Sequence, residues 1–66
     1  MFFIFSYSAY TGKNIYYTGR TQKSLNFSKY LSKRVIRYTL KEDAMLELLQ
    51  LQEIMPYRVW DIGEDI

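Results

Sequence analysis

The longest periodic run of apolar residues in the chain lies at residues 39–55. Thr39, followed three residues later by Glu42, has the spacing of a capping box, and Pro56 removes the amide donor that a longer helix would need. The pattern predicts a helix over about residues 40–54. Projection at about 100° per residue predicts one buried stripe on it, formed by Leu40, Ala44, Leu48, Leu51 and Met55, with Ile54 at its margin.

Three further apolar side chains of this helix, Met45, Leu46 and Leu49, fall outside the predicted stripe. One small sheet cannot cover a helix that is apolar around so much of its circumference. The favoured interpretation is that residues 22–38 wrap over this second patch, because a small domain seldom leaves apolar area in water. On the alternative interpretation another chain covers it, and Met45 and Leu49 then form an oligomer or partner patch.

Aromatic and β-branched residues predict three strands, at residues 2–9, 15–21 and 57–62, followed by a polar tail at 63–66. On the second strand, alternation places Ile15, Tyr17 and Gly19 on one face, and the other face then holds Tyr16, Thr18 and Arg20. The order β-β-(short α)-α-β predicts a single α+β domain over residues 1–66. In it one main helix packs on a three-stranded antiparallel sheet, a hairpin plus the C-terminal strand, with the last strand beside the first.

Residues 22–38 carry the least regular pattern. Residues 24–28 have the composition of a loop with two apolar anchors, Leu25 and Phe27. Ser32 precedes a predicted short helix at residues 33–37, because Leu31, Val35 and Tyr38 follow helical spacing. A third strand at residues 34–38 is the alternative, since polar and apolar residues alternate there; the short helix is favoured.

The net charge of the 66 residues is only +2, but the charges are segregated. Seven of the nine basic residues lie in residues 1–37, which hold no acid, and all seven acids lie in residues 38–66. Ordinary solvated lysines and a helix with acidic side chains account for part of this asymmetry. The rest predicts a basic surface suited to nucleic acid or to an acidic partner.

Composition excludes several kinds of chemistry. The chain has no Cys and no His, so thiolate chemistry, nucleophilic triads with a His base and His-based metal sites are absent. The three glycines stand far apart and form no phosphate-binding loop. We expect no enzyme activity, no cofactor and no metal. Residues 1–5 lack the basic flank and the length of a signal peptide or membrane span, so a cytoplasmic protein without membrane association is expected.

Glu47 is the one carboxylate that projects beside the predicted buried stripe, at the sheet margin. Its carboxylate is expected to reach water or to pair with a base of the hairpin.

The segment Ile15-Tyr16-Tyr17-Thr18-Gly19-Arg20-Thr21 resembles the second half of the GIY-YIG nuclease signature, a Tyr-x-Gly strand that ends in Thr. The resemblance implies that Tyr17 is the motif tyrosine and Arg34 a catalytic arginine. The first strand lacks the Gly-Ile-Tyr element, Arg34 follows too far downstream, and the metal-binding Glu of that family has no counterpart here. Nuclease activity is therefore not expected.

A second resemblance covers most of the chain and concerns its layout. In order, the chain presents Tyr16-Tyr17-Thr18-Gly19-Arg20, Phe27-Ser28, Tyr38-Thr39 before Glu42-Asp43-Ala44, and Tyr57-Arg58-Val59-Trp60. This layout resembles that of small bacteriophage accessory proteins. The resemblance implies a phage-encoded protein that acts in the host cytoplasm by binding and inhibiting or modulating a bacterial host protein. It assigns no role to any residue.

The sequence thus leads to two hypotheses about function. The favoured one is a small non-catalytic protein that binds an acidic surface of a host protein. A homodimer formed through Met45 and Leu49 is a further hypothesis. The contact surface predicted for it consists of Tyr16, Arg20, Lys33, Arg34 and Arg37. The alternative is a protein that binds single-stranded or duplex nucleic acid through the basic, Tyr-rich residues 10–38.

Overall fold

The computed structural model describes residues 1–8 and 10–65, so Ala9 of the predicted first strand and Ile66 of the predicted tail lie outside the described residues. Its elements are β1 (Phe2–Tyr7), β2 (Asn14–Arg20), β3 (Leu25–Ser28), α1 (Lys41–Ile54) and β4 (Val59–Glu64). The strands form one antiparallel sheet in the order β3-β2-β1-β4. The α+β class with one helix and an antiparallel sheet is confirmed, but the predicted number of three strands is wrong, because the described residues form a sheet of four.

The additional strand is β3, in a segment predicted to be a loop. Leu25 and Phe27 pack against the core on one side, whereas Asn26 is exposed. Two apolar residues separated by one polar residue have the period of a half-buried strand. Phe27 lies opposite Tyr17 in the ladder between β2 and β3. The placement of β1 between β2 and β4 agrees with the prediction that the last strand lies beside the first.

The connection from β3 to α1 contains no helix, so the predicted short helix at residues 33–37 is wrong. The strands β1 and β2 pair only over residues 5–7 and 14–16, and the connection bonds to both strands beyond that pairing. The amide of Ile36 donates to the carbonyl of Tyr17 at 3.2 Å, and Tyr38 exchanges two backbone hydrogen bonds with Phe2, at 2.7 and 2.8 Å. The alternative strand at residues 34–38 is thus reduced to a single β-bridge at Tyr38.

The core lies between α1 and one face of the sheet. Its buried cluster comprises Ile4, Tyr17, Ala44, Leu48, Leu51 and Trp60. Of the predicted helix stripe, Ala44, Leu48 and Leu51 are buried and Met55 packs against the cluster. Leu40 does not belong to it: 57% of its surface is exposed, because it precedes the helix.

The helix begins at Lys41, and the predicted capping box at Thr39 is not formed. Leu40 occupies the N-cap position in an extended conformation, with no capping side-chain hydrogen bond. Its carbonyl accepts the amides of Asp43 and Ala44, at 3.2 and 3.4 Å. Glu42 and Asp43 in the first turn place negative charge at the positive end of the helix dipole.

The second apolar patch of the helix remains uncovered. Met45, Leu46 and Leu49 are 42%, 63% and 51% exposed, so the favoured interpretation that residues 22–38 wrap over them is wrong. The physical reason is that this segment is used elsewhere. Residues 25–28 extend the sheet beside β2, and residues 36–38 bond to β1 and β2.

Candidate functional site

The helix lies closer to one half of the sheet than to the other. It packs on β1 and β4, whereas its backbone does not approach β2 or β3 closely. A groove of about 1170 Å³ therefore lies beside the C-terminal end of α1, along β2 and β3. We call this space the groove; its lining is Ile15, Arg20, Thr21, Gln22, Lys23, Ser24, Leu25, Phe27, Ile54, Met55, Tyr57 and Arg58.

The groove combines apolar surface with positive charge. Leu25 and Phe27 come from β3, and Ile54, Met55 and Tyr57 come from the end of the helix and the turn after it. Three of its lining side chains are cationic, and none is a carboxylate. Those three are Arg20, Lys23 and Arg58. A ligand that carries both negative charge and an apolar group matches this lining.

A β-bulge places Arg20 at the groove. The register between β2 and β3 shifts between Tyr17 and Gly19, and Gly19 has a φ of +123° that residues with a Cβ rarely adopt. The alternation of faces is interrupted there, so Arg20 lies on the helix side with Tyr17. The prediction that Arg20 shares a face with Tyr16 and Thr18 is therefore wrong.

Glu47 of the helix connects α1 to β2. Its Oε2 accepts a hydrogen bond from the hydroxyl of Tyr17 at 2.9 Å, and its Oε1 lies 3.3 Å from Nη2 of Arg20. The same arginine nitrogen donates to Oε1 of Gln50. The expectation that Glu47 pairs with a base of the hairpin is confirmed. These contacts fix the position of the Arg20 side chain, which lines the groove, relative to the helix.

The environment of Tyr17 raises the pKa of its hydroxyl above the ordinary tyrosine value. Burial is the larger cause, and the hydrogen bond to Glu47, whose negative charge disfavours a tyrosinate, is the next. Burial also raises the pKa of Tyr38, with a further contribution from the charge of Glu47. Both hydroxyls therefore stay neutral in ordinary conditions.

At the other side of the groove, Arg58 is held by a buried serine. Its Nε donates to Oγ of Ser6 at 2.8 Å, and Ser6 is fully buried in β1. The indole of Trp60 donates to the carbonyl of Met55 at 3.1 Å, which fixes the turn that follows the helix. Arg58 and Lys23 were not among the predicted contact residues. Arg58 falls within the strand predicted at residues 57–62, so no sequence signal distinguishes it from its neighbours, whereas in the structure β4 begins at Val59.

The opposite side of the sheet, which we call the helix-free face, carries aromatic and polar side chains. One row crosses all four strands, because Tyr16 lies opposite both Ser28 and Phe5, and Phe5 lies opposite Asp61. The rings of Phe5 and Tyr16 are 6.3 Å apart, and each lies about 6 Å from the ring of the buried Phe3. Phe5 was not predicted as a site residue, although its pairing with Tyr16 follows from a hairpin.

Arg34 lies at the β3 side of the helix-free face. With Thr18, Asn26, Phe27 and Ser28 it borders a shallow depression of about 520 Å³. Arg34 and Lys33 form an exposed turn, in which the amide of Arg34 donates to Oγ of Ser32 at 3.3 Å. Within residues 1–8 and 10–65, neither cation has an ion-pair partner.

Arg37 is engaged within the fold. Its Nε donates to Oδ2 of Asp65 at 2.9 Å, and its Nη1 donates to the carbonyls of Ser32 and Val35, at 2.8 and 2.9 Å. The five predicted contact residues therefore do not form one surface. Tyr16 and Arg34 belong to the helix-free face, whereas Arg20 lies on the opposite side. Met45 and Leu49 are exposed on the outer side of the helix.

Over the part of the chain that the structure describes, no three carboxylates converge to hold a metal ion. The same residues include no helix with the length and apolar character needed to span a membrane. Comparison of the chain with family models, curated proteins and solved structures finds no match.

Proposed function

We propose that this chain is a small non-catalytic binding protein whose groove takes a segment of a partner protein. The observation that carries the proposal is the lining of the groove, which contains no carboxylate and combines five aliphatic or Phe side chains with three cations, of which Arg20 is also paired with Glu47. The partner segment is therefore acidic and carries at least one apolar side chain. Charge complementarity favours encounter with such a segment, and the apolar contact supplies the burial that holds it.

The groove is supported by fixed contacts rather than by mobile side chains alone. Arg20 is held by Glu47 and Gln50, and Arg58 is held by Ser6. Side chains that are already ordered lose less conformational entropy when a ligand binds. Lys23, in the exposed turn between β2 and β3, adds charge at the rim.

The biological setting that we propose rests on the layout resemblance to small phage accessory proteins. In that setting the partner is a bacterial host protein with an acidic surface, which the chain inhibits or modulates in the host cytoplasm. Occupation of an acidic segment of the host protein would prevent that segment from contacting its usual partner.

The proposal is tested by selecting peptides from a random displayed library on the immobilised full chain. We expect the selected peptides to be enriched in Asp and Glu next to an apolar residue. The affinity of one selected peptide is then measured in solution for the wild type and for Lys23→Glu. A rim charge reversal should weaken binding about 5-fold to 30-fold, mainly through the association rate.

Arg34→Glu is the matched control, because it makes the same change of charge at an exposed residue on the other side of the sheet. It should change the peptide affinity by less than about 2-fold at physiological salt, where exposed charges more than about 8 Å apart are screened. Selected peptides without acidic enrichment, or equal effects of the two substitutions, would overturn the assignment of the groove.

A further inference from the structure

We propose that the helix-free face binds single-stranded nucleic acid, with bases stacked on Phe5 and Tyr16 and phosphates near Arg34. This second binding activity uses the side of the sheet opposite the groove and does not rest on the function proposed above. It is carried by three observations: the aromatic row, the cations beside it and the distribution of carboxylates.

The aromatic row provides the stacking surface. Phe5 and Tyr16 lie directly opposite each other on the two central strands, and both rings remain partly exposed. Tyr7, two residues along β1 on the same face, is 39% exposed. Every base has a π-face, so such rings bind single strands with little dependence on sequence. A four-stranded sheet with exposed aromatic side chains is one general way of binding two or three unstacked bases.

One cation, Arg34, lies beside this row. It borders the depression formed with Thr18, Asn26, Phe27 and Ser28, at the β3 end of the row. The hydroxyl of Thr18 and the side-chain amide of Asn26 can donate to phosphate oxygens or to base edges there, whereas the hydroxyl of Ser28 already donates to the carbonyl of Tyr30. Lys33 adjoins Arg34 in the same exposed turn.

The positions of the carboxylates leave the β3 end of the helix-free face as the more favourable place for phosphate. Among the residues that the strands present on the helix-free face, Asp61 is the sole acid, and it lies on β4 at the far edge from β3. The acidic residues Glu42, Asp43, Glu47 and Glu53 belong to the helix, on the other side of the sheet. A nucleic-acid strand is therefore expected to follow β3 and β2, with its bases directed towards β1.

The test is a fluorescence anisotropy titration of the full chain with a labelled single-stranded oligonucleotide of about 12 nucleotides, within the range of site sizes known for such binders. We expect binding that weakens steeply with salt, and weaker binding of a duplex, in which the bases are already stacked on one another. Tyr16→Leu keeps apolar packing but removes the π-face, and should weaken binding by about 5-fold or more. Arg34→Glu should weaken it by about 10-fold, and Arg34→Ala should reduce the salt slope by about one.

Lys23→Glu is the matched control, because it changes the charge by the same amount at the groove. It should alter oligonucleotide affinity by less than about 2-fold at physiological salt. Circular dichroism establishes whether each variant is folded. If Tyr16→Leu does not fold, Arg34→Glu, an exposed substitution, still decides the test. The proposal is overturned by absence of binding at low salt, by equal affinity for duplex and single strand, or by an equal effect of Lys23→Glu and Arg34→Glu.

Discussion

At the scale of single residues, Tyr17 shows how one side chain joins the core to a polar network. Its ring is buried beside Phe27, and its hydroxyl donates to Glu47 at 2.9 Å. A phenol at this position satisfies both environments, whereas the sequence pattern distinguishes only an inward from an outward side chain. The hydrogen bond is therefore beyond what the pattern can predict, although the expectation that Glu47 meets the hairpin is correct.

The raised pKa of Tyr17 makes stability depend on pH in alkaline solution. Because the folded protein holds the pKa above the value of about 10 of an unfolded tyrosine, the stabilisation is complete below pH 10 or so and is lost as the pH rises further. We expect the free energy of unfolding in urea to fall as the pH rises above about 10. Tyr17→Phe should show a smaller fall, since it has no hydroxyl to ionise. An identical fall in the variant would contradict this role of Tyr17. The pKa of Tyr38 is also raised, so Tyr38 contributes equally to the stability curves of the wild type and the variant.

Gly63 allows the ring of Phe3 to lie close to the backbone of β4 on the helix-free face. A Cβ at this position would lie 2.6 Å from Cε2 of the Phe3 ring and nearer still to Cζ, so Gly63→Ala requires the ring to move. The expected cost is about 1–3 kcal/mol in the free energy of unfolding. Denaturant unfolding measures it, and the cost should shrink in a Phe3→Leu background, where the ring is absent. A cost that is the same in both backgrounds would show that the ring is not its source.

At the scale of elements, the helix buries one of two adjacent leucines and exposes the other. Leu48 is 6% exposed and Leu49 is 51% exposed. Leu48→Ala should lower the free energy of unfolding by about 2–5 kcal/mol because it leaves a cavity in the core. Leu49→Ala should change it by less than about 1 kcal/mol. Urea unfolding of both variants provides the measurement, and a large loss for Leu49→Ala would mean that the outer patch is covered in solution.

The elements also show which patterns were sufficient. The helix follows from one long periodic stretch, of which three predicted stripe residues are buried, and the strands β1, β2 and β4 follow from runs of aromatic and β-branched residues. The strand β3 was missed because four residues give too short a pattern, and its stability comes from pairing with β2. In the connection, Leu31, Val35 and Tyr38 have helical spacing, yet tertiary pairing of Tyr38 with Phe2 prevails over local preference.

The candidate sites were only partly accessible to prediction for a related reason. Arg20 changes face because of the bulge before Gly19, and no alternation rule predicts a bulge. Arg37 looked like a surface base, but it bonds to Asp65, 28 residues further along the chain. Charge in the sequence thus predicts that basic surface exists, whereas the fold decides which bases are engaged internally and which remain available.

At the scale of the whole molecule, the sheet separates the groove from the helix-free face. If both carry the ligands proposed for them, an acidic peptide and an oligonucleotide should bind the same molecule together, since Phe5, Tyr16 and Arg34 of the helix-free face do not line the groove. The Debye length of about 8 Å at physiological salt screens the repulsion between the two anionic ligands, so each should alter the affinity of the other by less than about 2-fold.

The coupling between the two ligands should increase at low salt. At about 0.01 M the Debye length of about 30 Å exceeds the shortest extent of the molecule, 19 Å, so the negative charges of the ligands act on each other through the sheet. Titration of the oligonucleotide with and without saturating peptide, at both salt concentrations, measures this coupling. A neutral peptide variant is the control, and it should remove the coupling at low salt. Mutual exclusion at every salt concentration would instead mean that both ligands occupy one surface, because steric competition, unlike repulsion between separated charges, does not weaken as salt is added.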